Sequence, residues 1–460
     1  PCYVIGDPLN STSEFRNLEA LVKWSSENGG SSFNQIVPSM QGGSAGNLTK
    51  LATGEQIGSC WGIAYQRQSN VIITSASLKR HSGIGPLGYG GLYFLDGSTK
   101  NLLASLDLNL IGVPSGAFPD NAGRGLPQTF PPVSADSLAF SSAGKIAYGG
   151  LELPEDGKTL YIISIHTRKL YSIFIDNPFR IPGAADVDSC ALPDPGCSRG
   201  EFRPWALRQR RGKLYIGALC DGSLGGSQSD LTAFVYEFDP KTKNYKTVLE
   251  FVFDYNIVPS NPRYFPWVDK WDSQWPQAPA EFFQKPQPVL TDIEFDGDDH
   301  MVLGISDRMS MQAGVNQKNP DGKGTYSVLS LGDILRAGRD SVTGLYVLEN
   351  NARVGTIQTD GRNGGFGPGG GEYYYGDNAI NTSGVSIEPE STSGGLAICP
   401  GQGNIITTAV DVFDFFTNGV IHLNNQTGAG SKRYQVIPAD FTLFIGKSNA
   451  LGDLRLKSDP

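Results

Sequence analysis

Five stretches of this chain share one alternation of apolar and polar positions. They are WGIAYQRQSNVIITSA (61–76), GGLELPEDGKTLYIISI (149–165), WALRQRRGKLYIGAL (205–219), TDIEFDGDDHMVLGIS (291–306) and GGLAICPGQGNIITTAV (394–410). Each runs from a short apolar strand through a polar or Gly/Pro turn into a strand richer in β-branched residues, which is the pattern of a hairpin. The second strand starts 9 to 11 residues after the first in all five. Four of them continue into a third strand ending in Asp or Asn: GGLYFLD (90–96), RKLYSIFID (168–176), AFVYEFD (233–239) and GVIHLNN (419–425). Three then pass through polar turns into a fourth strand, GSTKNLLASLDL, PKTKNYKTVLEF and QTGAGSKRYQVI.

Repeated four-stranded antiparallel units predict an all-β fold, a β-propeller, in which neighbouring blades bury the faces that one blade alone would expose. The repeats start 56 to 103 residues apart, against about 40–50 for a minimal blade. Long loop insertions fill the difference, at 108–147, 254–289 and 351–390. ALGDLRL (450–456) resembles the inner strands and closes the ring with N-terminal strands. Six blades are expected, with five and seven as the alternatives. The whole of 1–460 reads as one propeller domain: 1–58 for an N-terminal helix and closing strands, 59–437 for blades, 438–460 for the closing strand and an exit to a following domain. The helix is expected in SEFRNLEALVKWSSENG (13–29), capped by Ser13, with a weaker one in LSLGDILRAGR (329–339).

Composition narrows the function. Gly (58) and Pro (29) are frequent, charged residues make up 18%, and the net charge is −9. An acidic chain does not suit a nucleic-acid backbone, and no apolar run reaches the length of a membrane span. The sequence shows no signal peptide and starts at Pro1 without Met, so a processed or trimmed secreted product is expected. Six cysteines without C-x-x-C spacing suit disulfides in an oxidising compartment. DSCALPDPGCS reads as a local Cys190–Cys197 loop. Sequons at Asn10, Asn47, Asn381 and Asn425 permit N-glycosylation.

No motif supplies a catalytic or metal site. GGSAG (42–46) and GIGPLG (83–88) lack the flanking elements their motifs require and read as loops. The acids of FDGDDH do not follow the EF-hand order; they sit where other repeats have turns, leaving room only for adventitious calcium. No cofactor is expected. Charged groups recur just past the second strands: Arg80, His81, His166, Arg168, Asp221, Asp307, Arg308 and Asp411. If the strands align, they ring one channel mouth, either as paired charges that fix the blades or as an ion-binding pocket. Tyr264, Phe265, Trp267, Trp271 and Trp275 crowd one insertion, as a satellite core or as anchors for a protein or glycan partner.

These segments, in this order and spacing, with GDILRA…LYVLEN and GKSNALGDLRL, resemble the propeller-like N-terminal region of large secreted surface proteins. In those proteins serine–aspartate-repeat B-like immunoglobulin-type domains follow. The resemblance covers about residues 55–456 and implies an extracellular, non-catalytic role in adhesion or in building a surface layer or filament. It carries over no catalytic residues. The expected partners are other surface proteins or glycans, or further copies of the chain, with no nucleic acid and no membrane insertion. The alternatives are a subunit of a self-assembling extracellular filament or sheath, and a propeller enzyme with its site at the channel mouth.

Overall fold

The computed structural model describes residues 5–27, 48–258, 263–272, 282–380, 384–399, 401, 403–413, 415–437 and 451–457. All five hairpins form, and each is the inner half of a four-stranded antiparallel meander. The first blade comprises Cys60–Gln66, Val71–Ala76, Gly91–Asp96 and Leu102–Asp107. The second comprises Tyr148–Glu152, Thr159–Ser164, Lys169–Phe174 and Val187–Ala191. The third comprises Phe202–Arg210, Lys213–Cys220, Thr232–Asp239 and Asn244–Val252. The fourth comprises Pro288–Phe295, Met301–Asp307, Asp333–Arg339 and Tyr346–Leu348. The fifth comprises Thr392–Cys399, Asn404–Val410, Asn418–Asn424 and Gly430–Ile437.

Among the described residues the ring therefore has five blades and not six. In place of a sixth blade, the gap between the fifth and the first holds a two-stranded sheet, Glu19–Lys23 against Thr49–Thr53, and the extended segment 451–457. Asp453 Oδ2 accepts the Ile63 N–H at 3.2 Å. Leu451 and Leu454 pack in one cluster with Ala397 and Ile406 of the fifth blade. The two ends thus wedge the ring shut.

Two expected helices are strands. Around 13–29 the chain forms turns and then Glu19–Lys23, because pairing with 49–53 buries Ala20, Leu21 and Val22 on both faces. Ser13 Oγ accepts the Phe15 N–H at 3.2 Å instead of capping a helix. LSLGDILRAGR supplies Asp333–Arg339, the third strand of the fourth blade, buried from Asp333 through Ala337. A short apolar run buried on both faces has no period that separates strand from helix.

Inner strands meet almost backbone to backbone. A Cβ on Gly62 would lie 2.7 Å from Gly149 O, and one on Gly149 would lie 2.8 Å from Trp205 O. Each inner hairpin also carries a register irregularity near its start, at Cys60/Ile63, Tyr148/Leu151, Pro204/Ala206, Leu290/Asp292 and Thr392/Leu396. Such a bulge bends the strand and re-aims its side chains, here at the channel.

Candidate functional site

The end of the ring carrying the charged positions past the second strands is covered by segments from three blades. Arg80, His81, Asp307, Arg308 and Asp411 are each fully buried. Arg308 donates to Ala143 O, Val268 O and Ser141 O at 2.8, 2.8 and 2.9 Å, and lies 3.2 Å from Asp269. Arg80 reaches Gln312 O at 3.0 Å and Lys318 O at 2.7 Å, with further bonds to Ala135 O and the Tyr326 hydroxyl. Asp307 accepts three backbone N–H groups, from Gln287, Met309 and Leu331. Burial pushes its carboxyl up to about 7.

His81 Nδ1 lies 2.8 Å from Ser134 Oγ, and burial, with Arg80 and Arg124 nearby, holds the imidazole well below its ordinary range. Asp221 pairs with Arg203 at 2.8 Å, Arg168 pairs with Glu201, and the Asp411 carboxylate accepts the Phe416 N–H at 2.6 Å. His166 is exposed and lies beside Gly116. Most of these charges bind backbone or a local counter-ion in a packed plug.

The aromatic insertion joins that plug. Tyr264 and Trp267 are buried, and Phe265 and Trp271 are half-buried. The Trp267 indole N–H donates to Pro288 O at 2.8 Å, between the guanidiniums of Arg203 (5.4 Å) and Arg308 (4.6 Å). Trp271 packs on Phe283 and Tyr326. Trp275, Asn47 and Asn381 lie outside the described residues.

Three further expectations are corrected. Cys197 pairs with Cys220 and not with Cys190, at a Cα–Cα distance of 5.4 Å. Cys190 is a thiol held in the outer strand of the second blade, opposite Leu170. Cys60 is also disulfide-bonded. The Asn425 sequon cannot take a glycan, because its buried amide donates to Asp296 at 3.1 Å and accepts the Tyr374 hydroxyl at 2.6 Å. Asn10 is half-exposed. Of the acids of FDGDDH only Asp298 is exposed; Asp296 and Asp299 are buried and not solvated. Asp296 is buried against Arg336, and Asp299 holds Arg210 at 2.7 Å and also Arg211. Arginines neutralise both buried acids.

The opposite end is open. A cavity of about 1320 Å³ lies where the inner hairpins turn. Residues one or two past each bulge line it, giving Tyr65, Glu152, Arg208, Glu294 and Ile398, with Arg455 from the closing segment. Four of these form one belt of alternating charge. Arg455 binds Glu152 through two bonds of 2.7 and 3.0 Å. Arg208 lies 3.8 Å from Glu152 and 2.9 Å from Glu294.

Two residues before the belt, Asp292 and Asp453 face one another. Asp292 Oδ2 accepts the Leu396 N–H at 2.7 Å, so each aspartate also ties its strand to the next. Burial, then the opposed carboxylate, raises Asp292 well above its ordinary range; burial likewise raises Asp453. A pair in this state holds a proton between them. The aligned repeats already put Glu152, Arg208 and Glu294 at their fourth position, a shared charged place that marks the belt; the alternation within any one strand does not.

One further group gathers metal-ligand chemistry. Single carboxylate oxygens of Asp333, Glu372, Asp377 and Glu390 all lie within 4.8 Å of one another, and all four residues are buried.

Among the described residues no helix is long and apolar enough to cross a membrane. No family model matches the chain. It is 26% identical over 441 residues to Colossin-A of Dictyostelium discoideum, covering 90% of this chain and 4% of that protein. It is 27% identical over 431 residues to Colossin-D of the same organism, covering 89% of this chain and 41% of that protein. The chain thus spans less than half the length of these relatives, and a small fraction of Colossin-A. Among solved structures it is similar to the periplasmic gluconolactonase PpgL of Pseudomonas aeruginosa, with a TM-score of 0.36 and 11% identity over 89% of this chain and 77% of that one. The chain is a five-bladed β-propeller with homologues among the Dictyostelium colossins.

Proposed function

We propose that the chain is a secreted, non-catalytic structural and adhesive module of a longer protein, and that its open channel mouth takes a polar partner, a protein segment or a glycan. The observation that carries this reading is the belt Arg455–Glu152–Arg208–Glu294. Each of its charges comes from a different part of the ring and is engaged by a neighbour, so channel charge fixes the blades. The rim above carries exposed groups of both signs and two amides, Arg67, Gln68, Glu155, Arg211, Asp298 and Gln426. Such a rim complements a polar surface better than an apolar ligand. Similarity to a small part of much longer relatives supports a module, and the disulfides support an oxidising compartment.

A glycan array and biolayer interferometry against cell-surface extracts test the reading, with wild type beside an Arg67→Ala/Arg211→Ala/Gln426→Ala variant. Binding that weakens at least about tenfold in the variant, a loss of about 1.4 kcal/mol, is expected. Binding equal in the two proteins removes the mouth from the proposal.

The Asp292–Asp453 pair favours a second reading, a propeller hydrolase using the shared proton for acid–base work. Turnover of an ester, lactone or glycoside that Asp292→Asn abolishes at unchanged melting temperature would replace the first reading by this one.

A further inference from the structure

The four carboxylates of Asp333, Glu372, Asp377 and Glu390 come from three separate parts of the chain. Asp333 opens the third strand of the fourth blade. Glu372 and Asp377 belong to the long segment between the fourth and fifth blades, and Glu390 stands just before Thr392–Cys399, the inner strand of the fifth. None is more than 5% exposed. Both oxygens of Asp377 lack a hydrogen-bond partner, as do Asp333 Oδ1, Glu372 Oε1 and Glu390 Oε2. These are fully buried acceptors aimed at one another.

Ionised carboxylates cannot donate to each other, so only protons or a cation can reconcile them at this range. Burial and mutual repulsion hold Glu372, Asp377 and Glu390 well above their ordinary ranges. The second Asp333 oxygen is fixed by the Tyr255 hydroxyl at 2.9 Å, which orients the first. Arg433 lies near Asp377, but its guanidinium is also directed at the backbone, with Gly376 O at 3.4 Å and Val412 O at 3.5 Å.

We propose that Asp333, Glu372, Asp377 and Glu390 form a calcium site that clamps the segment before the fifth blade onto the fourth. The donor set is all hard oxygen, the preference of calcium and magnesium. Calcium takes oxygens at about 2.3–2.6 Å, so ligands on opposite sides of one ion stand about 4.6–5.2 Å apart, and the four oxygens here, all within 4.8 Å of one another, fit around one ion. Magnesium holds oxygens at about 2.0–2.1 Å and keeps most of its waters, which an enclosure of four carboxylates does not suit.

Thermal melting and titration calorimetry of the whole chain, first stripped with EGTA, test the site. Calcium should bind with one equivalent and raise the melting temperature, by about 3 °C for a chain of 460 residues at a hundredfold excess over Kd. EGTA should reverse the shift. Asp377→Asn/Glu390→Gln should melt no lower than the stripped wild type, since repulsion is relieved, and should gain nothing from calcium. Terbium in place of calcium should luminesce on tyrosine excitation, and Tyr255→Phe should dim it. Absence of both heat and shift in the wild type overturns the proposal, and so does calcium binding that survives in the double variant. An equal shift with magnesium at the same concentration overturns the choice of calcium.

Discussion

Replacing Trp267 with alanine decides whether the aromatic insertion is a structural plug or an anchor for a partner. The side chain is 2% exposed. Truncating a buried aromatic of this size costs about 3–5 kcal/mol. The indole N–H bond to Pro288 O, at 2.8 Å, adds about 1 kcal/mol. The guanidiniums of Arg203 and Arg308, at 5.4 and 4.6 Å, add about 0.5–1 kcal/mol each. These contributions overlap, and about 5 kcal/mol in all is expected. Arg308 keeps the carbonyls of Ala143, Val268 and Ser141, so truncation leaves no bare charge. Urea unfolding followed by circular dichroism should show a lower midpoint at an unchanged slope. Trp267→Phe keeps most of the volume and loses the N–H, for about 1–2 kcal/mol. A loss below about 2 kcal/mol for Trp267→Ala would refute the plug, because no buried aromatic is removed so cheaply.

Glu152→Gln takes the carboxylate from Arg455 and half the pairing from Arg208, and should cost about 3 kcal/mol; Glu152→Leu with Arg455→Leu should recover most of it in the same unfolding assay. Cys197→Ser should cost about 3 kcal/mol for a loop separation of 23 residues, Cys190→Ser almost nothing, and peptide mapping should find Cys197 joined to Cys220. Asp307 has a folded-state pKa of about 7, raised from 3.8 by burial. Its proton-linked stability is therefore fully present below about pH 4 and lost as pH rises through about 7, so wild type should lose stability relative to Asp307→Asn between those values in a series of denaturant titrations.

The hairpins were legible because each puts turn residues between two apolar runs at nearly constant spacing, and local chemistry alone dictates that arrangement. Asp333–Arg339 was not legible: once the chain is buried on both faces, the alternation that marks a strand disappears. Glu19–Lys23 shows the same ambiguity, resolved by pairing with a strand 26 residues beyond it in the chain. Arg80 and Arg308 were correctly placed past the second strands, but their partners are carbonyls of distant segments, which leave no mark in composition. The belt was in the repeats but unread: Glu152, Arg208 and Glu294 are each the fourth residue of their stretch, yet the bulge resets the inward parity, so alternation alone does not mark that position as facing the channel. The carboxylate cluster was hidden differently. Its members are scattered from 333 to 390 and look singly like ordinary loop acids.

The bond from the Ile63 N–H to Asp453 spans 390 positions. During synthesis, the first blade exists long before the segment that completes its inner edge. Until then the slot between Ile63 and Ile72 on one side and Ala397 and Ile406 on the other presents apolar walls to water. A chain that ends before Leu451 lacks this closing segment and leaves those apolar walls uncovered. The last step of assembly is therefore a contest for this slot between residues 451–457 of the same chain and apolar segments of other molecules. The tether wins while the chains are dilute.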